Sequence, residues 1–181
     1  MKTRRFFIAF LVFVGGCIHV AAQGISSDRT NRDGVRTIVT DERGFYDEES
    51  VGLTYVISPD GSDSLRILNF TIEDLGRMEK GRILLIKLDN GRVIELHNDT
   101  DTYSHAVVRH PGGIFPLMCI RPQFVVTKQQ LDMICSHKVV KLRFEQHDGN
   151  IDKIVRNNRF SEAVYKCRRA IGGKADVYKN F

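Results

Sequence analysis

Five residues able to ligate a metal, His97, Asp99, Asp101, His105 and His110, fall within fourteen consecutive positions. Imidazole and carboxylate in one set suit zinc or manganese, so a loop that converged them would make a metal centre. A metal-assisted hydrolase using His97, Asp101 and His105 is the chemistry such a centre would support. Against it, alternation places His97 and Asp99 on one face only if a strand continues past position 97, and polar residues at strand ends are ordinarily just solvated. Arg109-His110-Pro111-Gly112-Gly113 offers a second candidate, because the backbone donors of a glycine turn flanked by cations can hold an anion. A lone Gly-Gly pair is equally at home in a surface loop.

The commonest motif-bearing enzymes lack their residues here. There is no Gly-x4-Gly-Lys-Ser/Thr loop, no Gly-x-Ser-x-Gly elbow and no His-Glu-x-x-His helix. Of the four cysteines, Cys17 falls near the N-terminus, which leaves Cys119, Cys135 and Cys167. An odd number without short paired spacings is neither a disulfide framework nor a zinc site. They read as small buried hydrophobes or, alternatively, as one disulfide joining Cys167 to Cys119 or Cys135. Nothing nearby supplies the depressed pKa a nucleophilic thiol needs. No cofactor is expected.

Charge is the firmer clue. The chain of 181 residues carries 27 Lys and Arg against 22 Asp and Glu, a formal +5. Lys2, Arg4 and Arg5 belong to an N-terminal leader, so past residue 22 the balance falls to 24 against 22, or +2. Whole-domain charge therefore gives no argument for nucleic acid or membrane binding. The charge is segregated, however: from His137 onward there are 11 cations and 5 acids, +6, leaving 13 against 17, −4, for residues 23–136. Lys166, Arg168 and Arg169 make the last helical segment basic. An acidic envelope protein, an acidic glycan or a lipid headgroup would fit such an end. Nucleic acid fits poorly, since aromatic residues are not interleaved with the cations.

Residues 1–22 have the three parts of a secretory signal peptide: basic Met1-Lys-Thr-Arg-Arg5, apolar Phe6–Val14, and small residues ending at Ala22. Cleavage after Ala22 places the mature domain outside the cytoplasm, in periplasm, at the surface or secreted. Val14-Gly15-Gly16-Cys17 loosely matches a lipobox, and lipidation of Cys17 is one alternative; twin-arginine export through Thr3-Arg4-Arg5-Phe6-Phe7-Ile8 and a retained anchor over Phe6–Ala22 are the others. Residues 23–34 are polar and read as a flexible tether, followed by one domain over 35–181.

Within that domain the patterning is mostly that of strands. Val51, Leu53, Tyr55 and Ile57 alternate with small and polar residues, and Ser58-Pro59-Asp60-Gly61-Ser62-Asp63 turns the chain back into Leu65–Ile72. Asn90-Gly91 between Arg82–Asp89 and Arg92–His97 predicts a two-residue turn that sets Asp89 opposite Arg92, Leu88 opposite Val93 and Leu85 opposite Leu96. The run Ile83–Ile86 marks a central strand. Residues 99–118 predict a loose edge strand and a loop. Thr127 and Gln130 form a capping box for a short helix with Leu131, Ile134 and Cys135 on one face. In Val139–Glu145, Val140, Leu142 and Phe144 point one way, and Ile151–Val155 reads as a short strand. A final helix from about Asn158 to Ile171 shows an apolar stripe through Phe160, Ala163, Val164 and Cys167 and stops at Gly172. The sum is an α+β domain: an antiparallel sheet of about six to eight strands with two helices late in the chain packed on it.

Val125-Val-Thr-Lys-Gln-Gln-Leu-Asp-Met-Ile134 and Val139-Val-Lys-Leu-Arg-Phe144, with Gly81–Leu96 and the basic last helix, resemble small exported proteins of unknown function common in Bacteroidetes. That resemblance implies an extracytoplasmic bacterial origin and brings no catalytic residues with it. Asn69-Phe70-Thr71 and Asn98-Asp99-Thr100 also fit the N-glycosylation triplet, a pattern frequent by chance. The expectation is a non-enzymatic envelope module that binds through its sheet edge or its basic helix. The metal-assisted hydrolase and a structural envelope subunit stand as the alternatives.

Overall fold

The computed structural model describes residues 24–46, 49–62, 64–73, 76–107, 117–147 and 149–175. The leader, with Cys17 and the Ala22 junction, and the turn carrying Arg109 and His110 lie outside the described residues. The first strands are β1 (Ile25–Thr30), β2 (Arg36–Thr40), β3 (Arg43–Tyr46), β4 (Glu49–Ile57) and β5 (Ser64–Glu73). They are followed by β6 (Arg77–Met78), β7 (Ile83–Leu88), β8 (Val93–His97), β9 (Thr102–Tyr103), β10 (His105–Val107), β11 (Leu117–Ile120) and β12 (Gln123–Val125). Helix α1 (Lys128–Ser136), strands β13 (Val139–Gln146) and β14 (Gly149–Ile154), and helix α2 (Arg159–Ala175) complete the chain.

The strands form an antiparallel sheet curled into a half-barrel, with both helices late in the chain. One part runs β1-β2-β4-β5-β11-β10, with β12 also on β5 and β3 on β4; a four-stranded part runs β14-β13-β7-β8. The two parts meet around Asn98, and beside it the Asp99 N–H donates to the Gln123 carbonyl at 2.8 Å. Asn98 bridges to Phe124 of β12, and its side chain, on a residue only 2% exposed, is fully committed. Its Nδ2 donates to the carbonyls of Met78 (3.3 Å), Glu79 (3.1 Å) and Thr100, while its Oδ1 accepts the Gln123 N–H (3.0 Å). A buried amide is tolerated because every one of its polar groups is partnered. The glycosylation triplet at Asn98 is thus occupied by the fold itself.

Five phenylalanines fill the hollow of the curl. Phe70 of β5 lies 6.1 Å from Phe45 (β3), 5.6 Å from Phe124 (β12), 5.4 Å from Phe144 (β13) and 5.8 Å from Phe160 (α2), centroid to centroid. The contacts to Phe45, Phe124 and Phe144 are edge-to-face and that to Phe160 is stacked, the geometries the ring quadrupole favours. Phe160, Ala163, Val164, Cys167 and Ile171 bury the predicted stripe of α2 on this core. At the far side, Lys153 of β14 pairs with buried Glu49 of β4 at 2.5 Å and lies 5.9 Å over the Tyr46 ring.

Four expectations are corrected. Residues 25–30 are a strand and not part of a tether: β1 needs no apolar run because β2 offers its free edge, and Arg36 clamps Asp28 across the pair with two 2.9 Å hydrogen bonds. The β7–β8 hairpin is shifted by one residue. Leu88 N–H donates to the Arg92 carbonyl (2.9 Å) and Gly91 N–H to the Leu88 carbonyl (3.1 Å), so the loop is Asp89-Asn90-Gly91, with Gly91 at φ +83°. This three-residue loop pairs Leu84 with Leu96 and Ile86 with Ile94, all buried; the two-residue alternative would have opposed buried to half-exposed side chains. Asp89 accordingly sits 3.7 Å from His137, not against Arg92. In β13 a bulge between Val139 and Lys141 turns Val139, not Val140, into the core. Finally, α2 runs through Gly172 and Gly173 to Ala175, since each interior glycine costs a helix only about 1 kcal/mol. The Thr127–Gln130 capping box, by contrast, is present as expected.

Replacing Phe70 with Ala is expected to cost about 3–5 kcal/mol, a large part of the roughly 5–15 kcal/mol that holds a domain together. Leu65→Ala, at a residue 43% exposed on the same strand, should cost less than about 1 kcal/mol. Asn98→Ala, which strands several buried backbone groups, is expected to cost about 3 kcal/mol. Urea unfolding of the three variants checks the ranking.

Candidate cationic groove

The residues of β2, β4 and β5 that face α2 form cross-strand rows. Val51 pairs with Phe70, Leu53 with Leu68, then Ile38 with Tyr55 and Tyr55 with Arg66, and last Arg36 with Ile57 and Ile57 with Ser64. Alternation keeps every member of these rows on one face of the sheet. The apolar core end therefore passes, two rows along, into a cationic end without any change of face. The last turns of α2, with Tyr165, Arg168, Arg169 and Ile171, stand over that end. Between them lies a groove of about 1030 Å³, closed at its tip by the Ser58–Gly61 turn.

Four arginines line the groove, and their partners differ. Arg36 is held by Asp28 and Arg168 by Asp132 at 2.5 Å. Arg66, half-buried, lies 5.3 Å from the centroid of the Tyr55 ring and donates to the Ser64 carbonyl at 3.2 Å. The ring beside its guanidinium makes a cation–π contact worth about 0.5–1 kcal/mol. Arg169 is exposed. Among the described residues neither Arg66 nor Arg169 has a carboxylate partner. Asp60 is the acid in the lining, and its charge is already engaged. Ser58 Oγ (2.6 Å), Ser62 Oγ (2.7 Å) and Ser62 N–H (3.1 Å) donate to it. Those hydrogen bonds lower its pKa to about 2.

The basic helix does not present one surface. Arg168 and Arg169 face the groove, whereas Lys166 lines a separate depression of about 340 Å³ with Arg43 and Arg159. Asp132, which locks Arg168, also bonds Lys128 at 3.0 Å; that bond first, then Arg168, keeps the carboxyl below its usual range.

The candidate metal ligands are dispersed into local roles. His97 Nε2 sits 3.2 Å from Glu95, Asp101 accepts the Lys80 N–H at 2.7 Å, Asp99 lies 3.6 Å from Lys80 Nζ, and His105 Nδ1 is 3.4 Å from the Tyr103 carbonyl. No three metal-binding side chains gather among the described residues. Cys119, Cys135 and Cys167 are free thiols. Burial raises the pKa of Cys135 and Cys167, which disfavours the thiolate. On the opposite face of the sheet a polar cup of about 500 Å³ contains Glu42, but that carboxylate is taken by Ser50 Oγ (2.6 Å) and Thr71 Oγ1 (2.9 Å).

Sequence reasoning missed Arg36 and Arg66. The signal was there: Arg66 is in phase with Leu68, Phe70 and Ile72, and Arg36 with Ile38, so each is a charge on the inward face of a strand. Comparison with protein-family models finds no match, and comparisons with curated proteins and with solved structures likewise find none. Among the described residues no helix is long and apolar enough to cross a membrane.

Because the folded-state pKa of Asp60 is depressed, its contribution to the turn is present above the ordinary carboxyl range and is lost as pH falls from about 4 toward about 2. Carboxyl NMR titration is expected to place its midpoint below those of the protein's unbonded carboxylates. Asp60→Asn should flatten the pH dependence of the turn's amide shifts in that window; an unchanged profile would assign the effect elsewhere.

Proposed function

We propose that this protein is a non-enzymatic, exported binding module of the cell envelope that captures an acidic ligand in the groove between α2 and the ends of β2, β4 and β5. The observation that carries the reading is the pair Arg66 and Arg169. Both are cations on one concave surface without a carboxylate partner among the described residues, while Arg36 and Arg168 beside them are paired. Cations left without partners in a concave site raise the local concentration of anions. A guanidinium already held beside a ring and bonded to a carbonyl also loses less freedom when it meets an oxyanion. Its acidic partner supplies the carboxylate that neither cation meets among the described residues.

Each charge-assisted contact contributes about 1.5–3 kcal/mol, so reversing both cations removes about a hundredfold or more in affinity. The probes are polygalacturonate, polyglutamate and vesicles containing phosphatidylglycerol, each titrated into the mature protein. At least one should bind, with affinity that falls as salt rises, and Arg66→Glu/Arg169→Glu should abolish that binding. Arg159→Glu/Lys166→Glu, a reversal of equal size on the other flank of α2, should leave it intact. Equal loss in both double variants, or none in the first, would remove the groove from the account.

A further inference from the structure

We infer that the ligand of this groove is a carboxylated oligosaccharide, a glycan built from uronic acid units. The inference rests on the groove reading above and narrows it to one chemical class. Three features of the groove select that class.

The first is the anchoring of Arg66. Lying 5.3 Å from the Tyr55 ring centroid and donating one N–H to the Ser64 carbonyl, it keeps other guanidinium N–H groups for an oxyanion, and a carboxylate accepts such a pair side by side. The second is size. At about 1030 Å³ the groove reaches the top of the roughly 300–1,000 Å³ span of pockets that hold one drug-sized molecule. With Arg66 on the sheet lip and Arg169 on the helix lip, it suits a short oligomer with recurring charge rather than a lone anion. The third is the rest of the lining. Thr30 provides a hydroxyl group, and Tyr165, 52% exposed at the rim, offers a ring face to the apolar C–H face of a sugar.

The competing occupants meet obstacles in the same place. An acidic peptide would bury its amides against strands that cannot pair with it. β2 is held on both sides by β1 and β4, and β5 by β4 and β12, so the floor of the groove offers no open strand edge, and strand addition would have to use the outer side of β1. Peptide capture by strand addition needs such an edge, and an amide desolvated without a partner opposes binding. A lipid surface would need apolar side chains at the rim, but Tyr165 is the one large exposed hydrophobic residue lining the groove among those described.

The test is calorimetric titration of the mature protein with trigalacturonate, triglutamate and neutral maltotriose at about 0.15 M salt, where the Debye length is about 8 Å. Trigalacturonate is expected to bind at least about tenfold more tightly than triglutamate, and maltotriose more weakly still. Arg66→Gln should weaken trigalacturonate binding about tenfold or more, and Tyr165→Ala about threefold, with circular dichroism and urea midpoints confirming that both variants fold. Triglutamate binding as tightly as the sugar, or Tyr165→Ala without effect, would overturn the glycan class while leaving the cationic groove in place. No binding of either trimer, together with no response in the polyanion titrations, would overturn the groove reading as well.

Discussion

Phe70 is the point on which the molecule turns. Its ring touches Phe45, Phe124, Phe144 and Phe160, so one side chain joins β3, β12, β13 and α2 to the strand it belongs to. A flat sheet could not bring those four rings around one; the curl is what lets both of its wings and the helix share a centre. The helix is held there by the same contact, because Phe160 stacks on Phe70 from the first turn of α2. Once that end is pinned, the remaining turns of α2 run out along the sheet toward its open corner. The groove is the space between the last turns of α2, from Tyr165 to Gly172, and the rows in which the strands carry arginine. Core and groove are consecutive rows of the same three strands.

How much of this was legible in the sequence depends on whether the signal was local. The Thr127–Gln130 box, the β4–β5 hairpin and the stripe of α2 are decided by residues within a turn of one another, and they stand as read. The β7–β8 register was not decided by Asn90-Gly91 alone. The turn dipeptide fits either loop length, and the choice falls to the longer one because it puts Leu84, Ile86, Ile94 and Leu96 on one buried face. The bulge at Val140 answers the same kind of distant demand, made by β7 on the neighbouring edge. β1 was the hardest element to foresee, since its sequence has little to bury. Its order comes from the backbone ladder of β2 and the Asp28–Arg36 clamp.

The histidine and acid cluster around position 100 shows why residue type and spacing are weak guides when the chain is folding around something else. Asn98 turns inward to hold the seam, which by alternation turns His97 and Asp99 out to solvent. Asp101 is then used to fix the Lys80 turn. The residues that looked like ligands are the outward-facing neighbours of an inward-facing amide, and the amide does the structural work. Its presence in a glycosylation triplet is a coincidence of the same kind, since an Nδ2 that donates to three carbonyls is closed to modification in the folded chain.

The segregated charge repays a closer look for the same reason. Counting by halves drew attention to the last 45 residues, yet much of their excess is neutralised in place. Lys141 and Arg143 share Asp152, Lys153 meets Glu49, and Arg168 meets Asp132. What a ligand of the groove can use is not the excess but the remainder, the groove cations without a carboxylate partner among the described residues. Arg66, one of those two, comes from the half of the chain whose net charge is negative. It was invisible to a count and visible to phase, because a charge that shares a face with Leu68 and Phe70 must find a cavity, a partner or an aromatic ring. Here it has the ring of Tyr55 behind it and the groove in front, and a guanidinium held that way selects by the geometry of its acceptor as well as by the sign of its charge.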